Sequence, residues 1–217
     1  MTLDSPSFAV EAVTESVVAR RYARLTAWSL LALALVAIPA SMLTTAEATP
    51  VGLIAGGACF LLAAVLDVVV AWGLYGLVRG TAPLLGAASL ALRIAYAVVL
   101  AAAAAALLVP GRDAAVFHWW WSGALIIFGV HLVVAAFALR AINAPVIVWL
   151  LTGLAGLAYL LDALPAPLDL IPTFALVPFE LGELVLMGWL FVAYREPRRR
   201  GLGRQRQLSD ATADPVE

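Results

Sequence analysis

Six apolar stretches, each about as long as a bilayer is thick, constrain this chain more than any other feature. They fall at about 25–45 ("LTAWSLLALALVAIPASMLTT"), 52–78, 83–109, 119–139, 145–163 and 172–194. A helix needs about 20 residues to cross roughly 30 Å of hydrocarbon. None of the stretches alternates with period two, so they read as helices and not as barrel strands. In lipid a helix satisfies its own backbone hydrogen bonds, and a bundle of helices is the expected solution. The composition agrees. Of 217 residues, 64% are hydrophobic and 12% charged, against about 45–50% and about 25% in a soluble domain.

The connections are short and carry helix breakers: Gly80 with Pro83, Pro110-Gly111, Asn143 with Pro145, and Pro165 with Pro167. Short loops make successive helices antiparallel. The expected fold class is therefore all-α, an integral membrane bundle of six transmembrane helices. The chain divides into an N-terminal segment (1–24), the six-helix domain (25–195) and a tail (196–217) read as disordered, basic first and acidic last. The first 19 residues mix acidic and apolar types and are expected to form a short surface helix.

The arginines orient the bundle. Arg20, Arg21, Arg24, Arg79, Arg140, Arg195, Arg198, Arg199, Arg200, Arg204 and Arg206 fall on one side of a six-helix arrangement, and Arg112 alone falls on the other. The positive-inside rule then places both termini in the cytoplasm. An odd number of helices would scatter the arginines onto both sides. All thirteen basic residues are Arg and none is Lys. That bias suits a GC-rich bacterial genome and points to the inner membrane as the location. The net charge of −1 offers no basic footprint for nucleic acid outside the tail. Cys59 is the only cysteine, so no intramolecular disulfide forms.

Two segments have competing readings. Residues 20–48 also read as a cleavable signal, with a basic flank, an apolar core and Ala46 and Ala48 spaced as A-x-A. The core is long for a signal, and 19 residues precede the first Arg. "FHWWW" (Phe117 to Trp121) stands at the expected outer end of the fourth helix. Trp prefers the headgroup level, which makes it an interfacial anchor before a carbohydrate or lipid platform. The glycines Gly153 and Gly156 read as a close-packing face and not as a phosphate loop, and Ala101–Ala106 as a thin one. Asp162 and Tyr159 read as interfacial.

The remaining charges lie within the apolar stretches. Asp67 stands 13 residues before Gly80 and Arg93 stands 13 after it. At about 1.5 Å per residue both reach roughly 15–20 Å from the arginine-rich side, close to mid-bilayer. A lone charge there costs about 2.5–3.5 kcal/mol on insertion scales. An Asp67–Arg93 pair across the hairpin neutralises both. His131 lies 9 residues before Arg140, and Glu183 lies 12 before Arg195, just as Asp67 lies 12 before Arg79. "DVVVAWGLYGLVR" and "ELVLMGWLFVAYR" share this pattern, the trace of a diverged repeat. Glu180 is one turn from Glu183, with Pro178 before it to loosen the helix, and Tyr96 is one turn from Arg93, within bonding reach of the cluster. Asp67, Arg93, Tyr96, His131, Glu180 and Glu183 are thus expected to converge as ligand-binding or proton-relay residues. Three acids then face one Arg and one His. A shared proton, or a charged His131, would balance them.

Several segments resemble one family. "DVVVAWGLYGLV", "LLGAASLALRIAYAVVL", "FGVHLVVAAFALR", "PVIVWLLTGLAGLAYLLDAL" and "ELVLMGWLF" are similar to the polytopic bacterial membrane proteins grouped as domain of unknown function 4386. The resemblance spans about 20–195. It implies Asp in the second helix, Arg in the third and His in the fourth, matched here by Asp67, Arg93 and His131. The family's Arg-Leu-Ala-Gly-like start to helix one is "ARLTAW" here, without the Gly. The resemblance implies fold and location, and no activity.

Three functions compete. The first is transport or binding of a small polar solute or proton, using the central cluster. The second is a non-catalytic scaffold or partner subunit in which the charges are staples. The third is an intramembrane enzyme using His131 with Glu180 and Glu183. The chain contains no HExxH and no GxSxG, so a non-enzyme is favoured. No cofactor or metal is expected: two histidines are few, and His118 and His131 stand at different depths, which suits no bis-His haem. The expected partners are the lipid bilayer and a small polar ligand or proton. Oligomeric state is not legible.

Overall fold

A computed structural model describes residues 6–45, 48–109, 114–163 and 181–194. Among the described residues there are six helices and no strand: α1 (Pro6–Leu43), α2 (Pro50–Val78), α3 (Pro83–Leu107), α4 (Ala114–Ala141), α5 (Val146–Asp162) and α6 (Gly182–Ala193). The protein is an all-α membrane bundle. Four helices, α1 to α4, are long and apolar enough to cross a bilayer; α5 and α6 have 17 and 12 described residues.

The first helix corrects the expectation of a separate surface helix. α1 runs unbroken for 38 residues, through the boundary drawn at 24 and 25. No Gly or Pro stands between Ser7 and Ile38, so nothing in the sequence stops it. At about 57 Å it exceeds the hydrocarbon thickness. Its apolar, membrane-length part is Val17–Leu43. The fourth helix begins five residues before the expected 119 and ends at Ala141. Of the sixth, expected over 172–194, Gly182–Ala193 is described.

The helix ends follow from local chemistry. The Thr49 side chain accepts a hydrogen bond from the Gly52 N–H (3.1 Å), with Pro50 opening α2 where no N–H is needed. α4 ends in a Schellman motif. Asn143 has φ 57°, its N–H donates to the Arg140 carbonyl (3.0 Å), and the Ala144 N–H reaches back to Leu139 (3.1 Å). Pro145 then prevents continuation. The α2–α3 turn closes through Ala82 N–H on the Val78 carbonyl (2.8 Å), and Pro83 starts α3.

The helices form a ring in chain order, each packed on the next, and α6 closes it by lying between α5 and α1. Small residues set the tightest seam. A Cβ at Gly156 would stand 2.6 Å from the Gly129 carbonyl, and one at Gly129 would stand 2.7 Å from the Gly156 carbonyl. α4 and α5 therefore touch backbone to backbone at this level, as membrane helices do where small residues meet. Gly153, expected to share this role, does so less tightly: a Cβ there would stand 3.3 Å from the Ala136 Cβ of α4, and the residue also borders an apolar groove. Within the alanine run, Ala103 and Ala104 are the buried members.

Arg79 lies over the Tyr22 ring (5.7 Å), and Arg20, Arg21 and Arg24 share a groove with Tyr194, so arginines of α1 and of the α2–α3 turn gather at one end. At the other end His118 Nε2 meets the Thr44 carbonyl (2.9 Å) and Phe117 packs on Phe60 (5.0 Å). Trp119 is 80% exposed and Trp120 is 52% exposed, the disposition of an interfacial anchor. Asp162 is exposed beside these tryptophans, whereas Tyr159 turns inward and packs on Phe128 (5.1 Å).

Candidate functional site

Two apolar cores lie along the ring's interior. One, toward the tryptophan end, holds Phe60, Leu100, Phe117 and Phe128; the other, toward the arginine end, holds Leu30, Val70, Leu139 and Leu190. Asp67 falls between Ala64 of the first and Val70 of the second, so the charged residues form a polar layer between two dry ones.

Arg93 is the centre of that layer and is fully buried. Its Nε donates to Asp67 Oδ1 (2.8 Å), and Nη2 lies 2.6 Å from the same oxygen, out of hydrogen-bond alignment. Its Nη1 donates to Glu183 Oε1 (2.7 Å). One guanidinium thus ties α2, α3 and α6 together. Fixed N–H directions let Arg serve two carboxylates at once, which a single ammonium group does less well. The guanidinium also lies over the Phe128 ring (5.3 Å), whose face attracts a cation.

His131 joins from α4. Its Nε2 is 3.3 Å from Arg93 Nη1, and its Nδ1 is 2.9 Å from the Ser89 carbonyl and 3.2 Å from Ser89 Oγ. A guanidinium only donates, so Nε2 accepts. A carbonyl oxygen only accepts, so Nδ1 carries the proton. His131 is therefore the neutral Nδ1–H tautomer. This corrects the expectation that a charged His131 could balance the acids: a second cation cannot face the guanidinium at this distance with a proton on each side.

Of the six expected residues, the structure brings together Asp67, Arg93, His131 and Glu183. Tyr96 is buried beside them and makes a ring contact, tilted by 36° against Phe128 at 4.6 Å. Glu180 and Pro178 lie outside the described residues. Ser89 was missed. It is buried, stands one turn before Arg93 on α3, and fixes the His131 ring. Its position on the Arg93 face of α3 was a signal open to the sequence; its use of a backbone carbonyl was not.

Burial separates the two acids. Asp67 is 2% exposed and Glu183 is 15% exposed. Glu183 sits in the first turn of α6, one residue after Gly182, whose position is set by close contact with Leu151 and Ala155 of α5. Among the described residues no group of three His, Cys, Asp or Glu is placed to hold a metal ion. The guanidinium itself occupies the space between the carboxylates and the imidazole.

No family model, no curated protein and no solved structure matches the chain. What the arrangement can do is therefore argued from its own chemistry. Two carboxylates, one guanidinium and a neutral imidazole leave one negative charge in excess.

Proposed function

We propose that the protein is a proton-coupled membrane protein that binds or carries a small polar solute, with the Arg93 network as its proton-holding site. One observation carries the reading: two carboxylates from different helices share a single guanidinium, and the partly exposed one lies at the start of α6. Asp67 keeps Arg93 charged and in place. Glu183 exchanges the proton in this reading, because it is the less buried of the two acids. When Glu183 is protonated its hold on Nη1 weakens, and Arg93 and His131 become available to a polar ligand. The resemblance to the domain of unknown function 4386 proteins and the skew of the arginines support a bacterial inner-membrane location with both termini cytoplasmic.

The test uses the proton itself as probe. Purified protein in proteoliposomes is adsorbed on a solid-supported membrane and given a pH jump. The wild type gives a charge-displacement transient from proton binding, and Glu183→Gln gives none. Equal transients from the two proteins would remove the proposal.

A second reading, a scaffold with the charges as staples, is favoured by the near-complete burial of Asp67, Arg93 and His131 and their mutual pairing. Buried polar contacts in membrane proteins contribute about 0.6–2 kcal/mol each. A scaffold would lose melting temperature when Glu183 is changed to Gln and would show no pH-jump transient. It would also co-purify with a stoichiometric partner.

A further inference from the structure

The guanidinium of Arg93 is not fully used. It carries five N–H groups. Nε gives one to Asp67 Oδ1 (2.8 Å), and Nη1 faces Glu183 Oε1 (2.7 Å) and His131 Nε2 (3.3 Å). Nη2 carries the other two. It lies 2.6 Å from the Asp67 oxygen that Nε already engages, and among the described residues no acceptor meets it in hydrogen-bond geometry. Arg93 is 0% exposed, so bulk water does not reach Nη2 either. A buried donor without an acceptor is costly and rare. The unmet nitrogen stands beside Nη1 on the end edge of the fork, an edge that takes two oxygens of one planar anion.

Resting on the proton-coupled site proposed above, we infer that its solute is a small monocarboxylate, whose two oxygens take Nη1 and Nη2 when a protonated Glu183 lets go of Nη1. The position on Nη1 already holds a carboxylate, so the incoming group matches Glu183 in shape and charge. Glu183 is the less buried of the two acids and is the one that yields. The groups facing Arg93 are Asp67 from α2, His131 from α4 and Glu183 from α6. With Asp67 charged, His131 neutral and Glu183 protonated, a monoanion restores the charge that Glu183 gave up. A dianion such as phosphate adds one more charge to a layer between two apolar cores, where charge is expensive. A cation meets the guanidinium and is repelled.

The experiment titrates the full chain, in nanodiscs of neutral lipid, with propionate, propionamide or inorganic phosphate. Calorimetry reads binding, with empty nanodiscs as the blank. Wild type binds propionate and neither of the others. Between about pH 6 and pH 10 its affinity is level while Glu183 is protonated and then falls about tenfold per unit, the slope of one linked proton. Glu183→Gln, fixed in the neutral form, binds propionate with no such fall. Arg93→Lys keeps the charge but not the fork and lowers affinity about tenfold, the loss of one hydrogen bond to a charged group. Circular dichroism confirms that each variant remains helical. Equal binding of propionamide or phosphate would overturn the inference, as would a fall with pH that persists in Glu183→Gln. So would a wild type that binds no propionate yet gives the pH-jump transient, an outcome that leaves the proton-holding reading standing. A wild type with neither would remove both.

Discussion

Asp67 and Glu183 bind the same guanidinium but are held very differently. Asp67 belongs to the α2–α3 hairpin, 26 residues from Arg93 in sequence, and touches both Nε and Nη2. Glu183 comes from a helix 90 residues away, touches Nη1 alone and keeps some exposure. A four-residue turn delivers the first contact. The second depends on α6 seating between α1 and α5. One acid is thus fixed by local geometry and one by long-range packing. In a bundle of antiparallel helices the long-range contact is the one that can open without unfolding the rest.

That difference sets an order of effects. Arg93→Gln removes the shared partner and leaves the buried Asp67 and the partly buried Glu183 without it. It should destabilise most, by about 3–5 kcal/mol, as for breaking a buried pair. Unfolding in nanodiscs, followed by tryptophan fluorescence, reads it. Asp67→Asn comes next, at about 1.5–3 kcal/mol, the range for hydrogen bonds to a charged group. Arg93 then still keeps Glu183. A loss smaller than that of Glu183→Gln would reverse the ranking drawn here.

Gly182→Val separates the two contacts most cleanly. A Cβ there would stand 2.8 Å from the Ala155 Cβ, so α6 must shift. The cost is about 1–3 kcal/mol for overpacking. Once α6 has shifted, adding Glu183→Gln should cost nothing further, while adding Asp67→Asn should cost its full amount. A double-mutant cycle on melting temperature checks this. Glu183→Gln alone has the smallest effect, near the lower end of about 0.6–2 kcal/mol. Its consequence is expected in proton binding rather than in stability.

The Asp67–Arg93 pair was legible in the sequence because depth in a membrane helix is counted from its ends. Thirteen residues on either side of one turn must meet at one level. His131 and Glu183 followed from the same counting against Arg140 and Arg195. Counting gives depth and not orientation. Tyr96 was placed at the right level, yet it is its ring that packs on Phe128. The protonation of His131 was not legible, because it depends on a guanidinium and a backbone carbonyl that only the packed helices bring together. The uninterrupted α1 was missed for another reason. The change from acidic-apolar to wholly apolar composition near residue 24 marks where the lipid begins, not where the helix does.

Infrared spectroscopy tests the central claim most directly. The proposed proton-holding site, with a neutral His131 and one Arg93 between two carboxylates, places a proton on the network at neutral pH. The expected spectrum of the wild type in nanodiscs shows the carbonyl stretch of a protonated carboxyl group, shifted by deuterium exchange. The band should be absent in Glu183→Gln, where one acid and one guanidinium balance. A wild-type spectrum without that band, or a band that persists in Glu183→Gln, would contradict the proton-holding network.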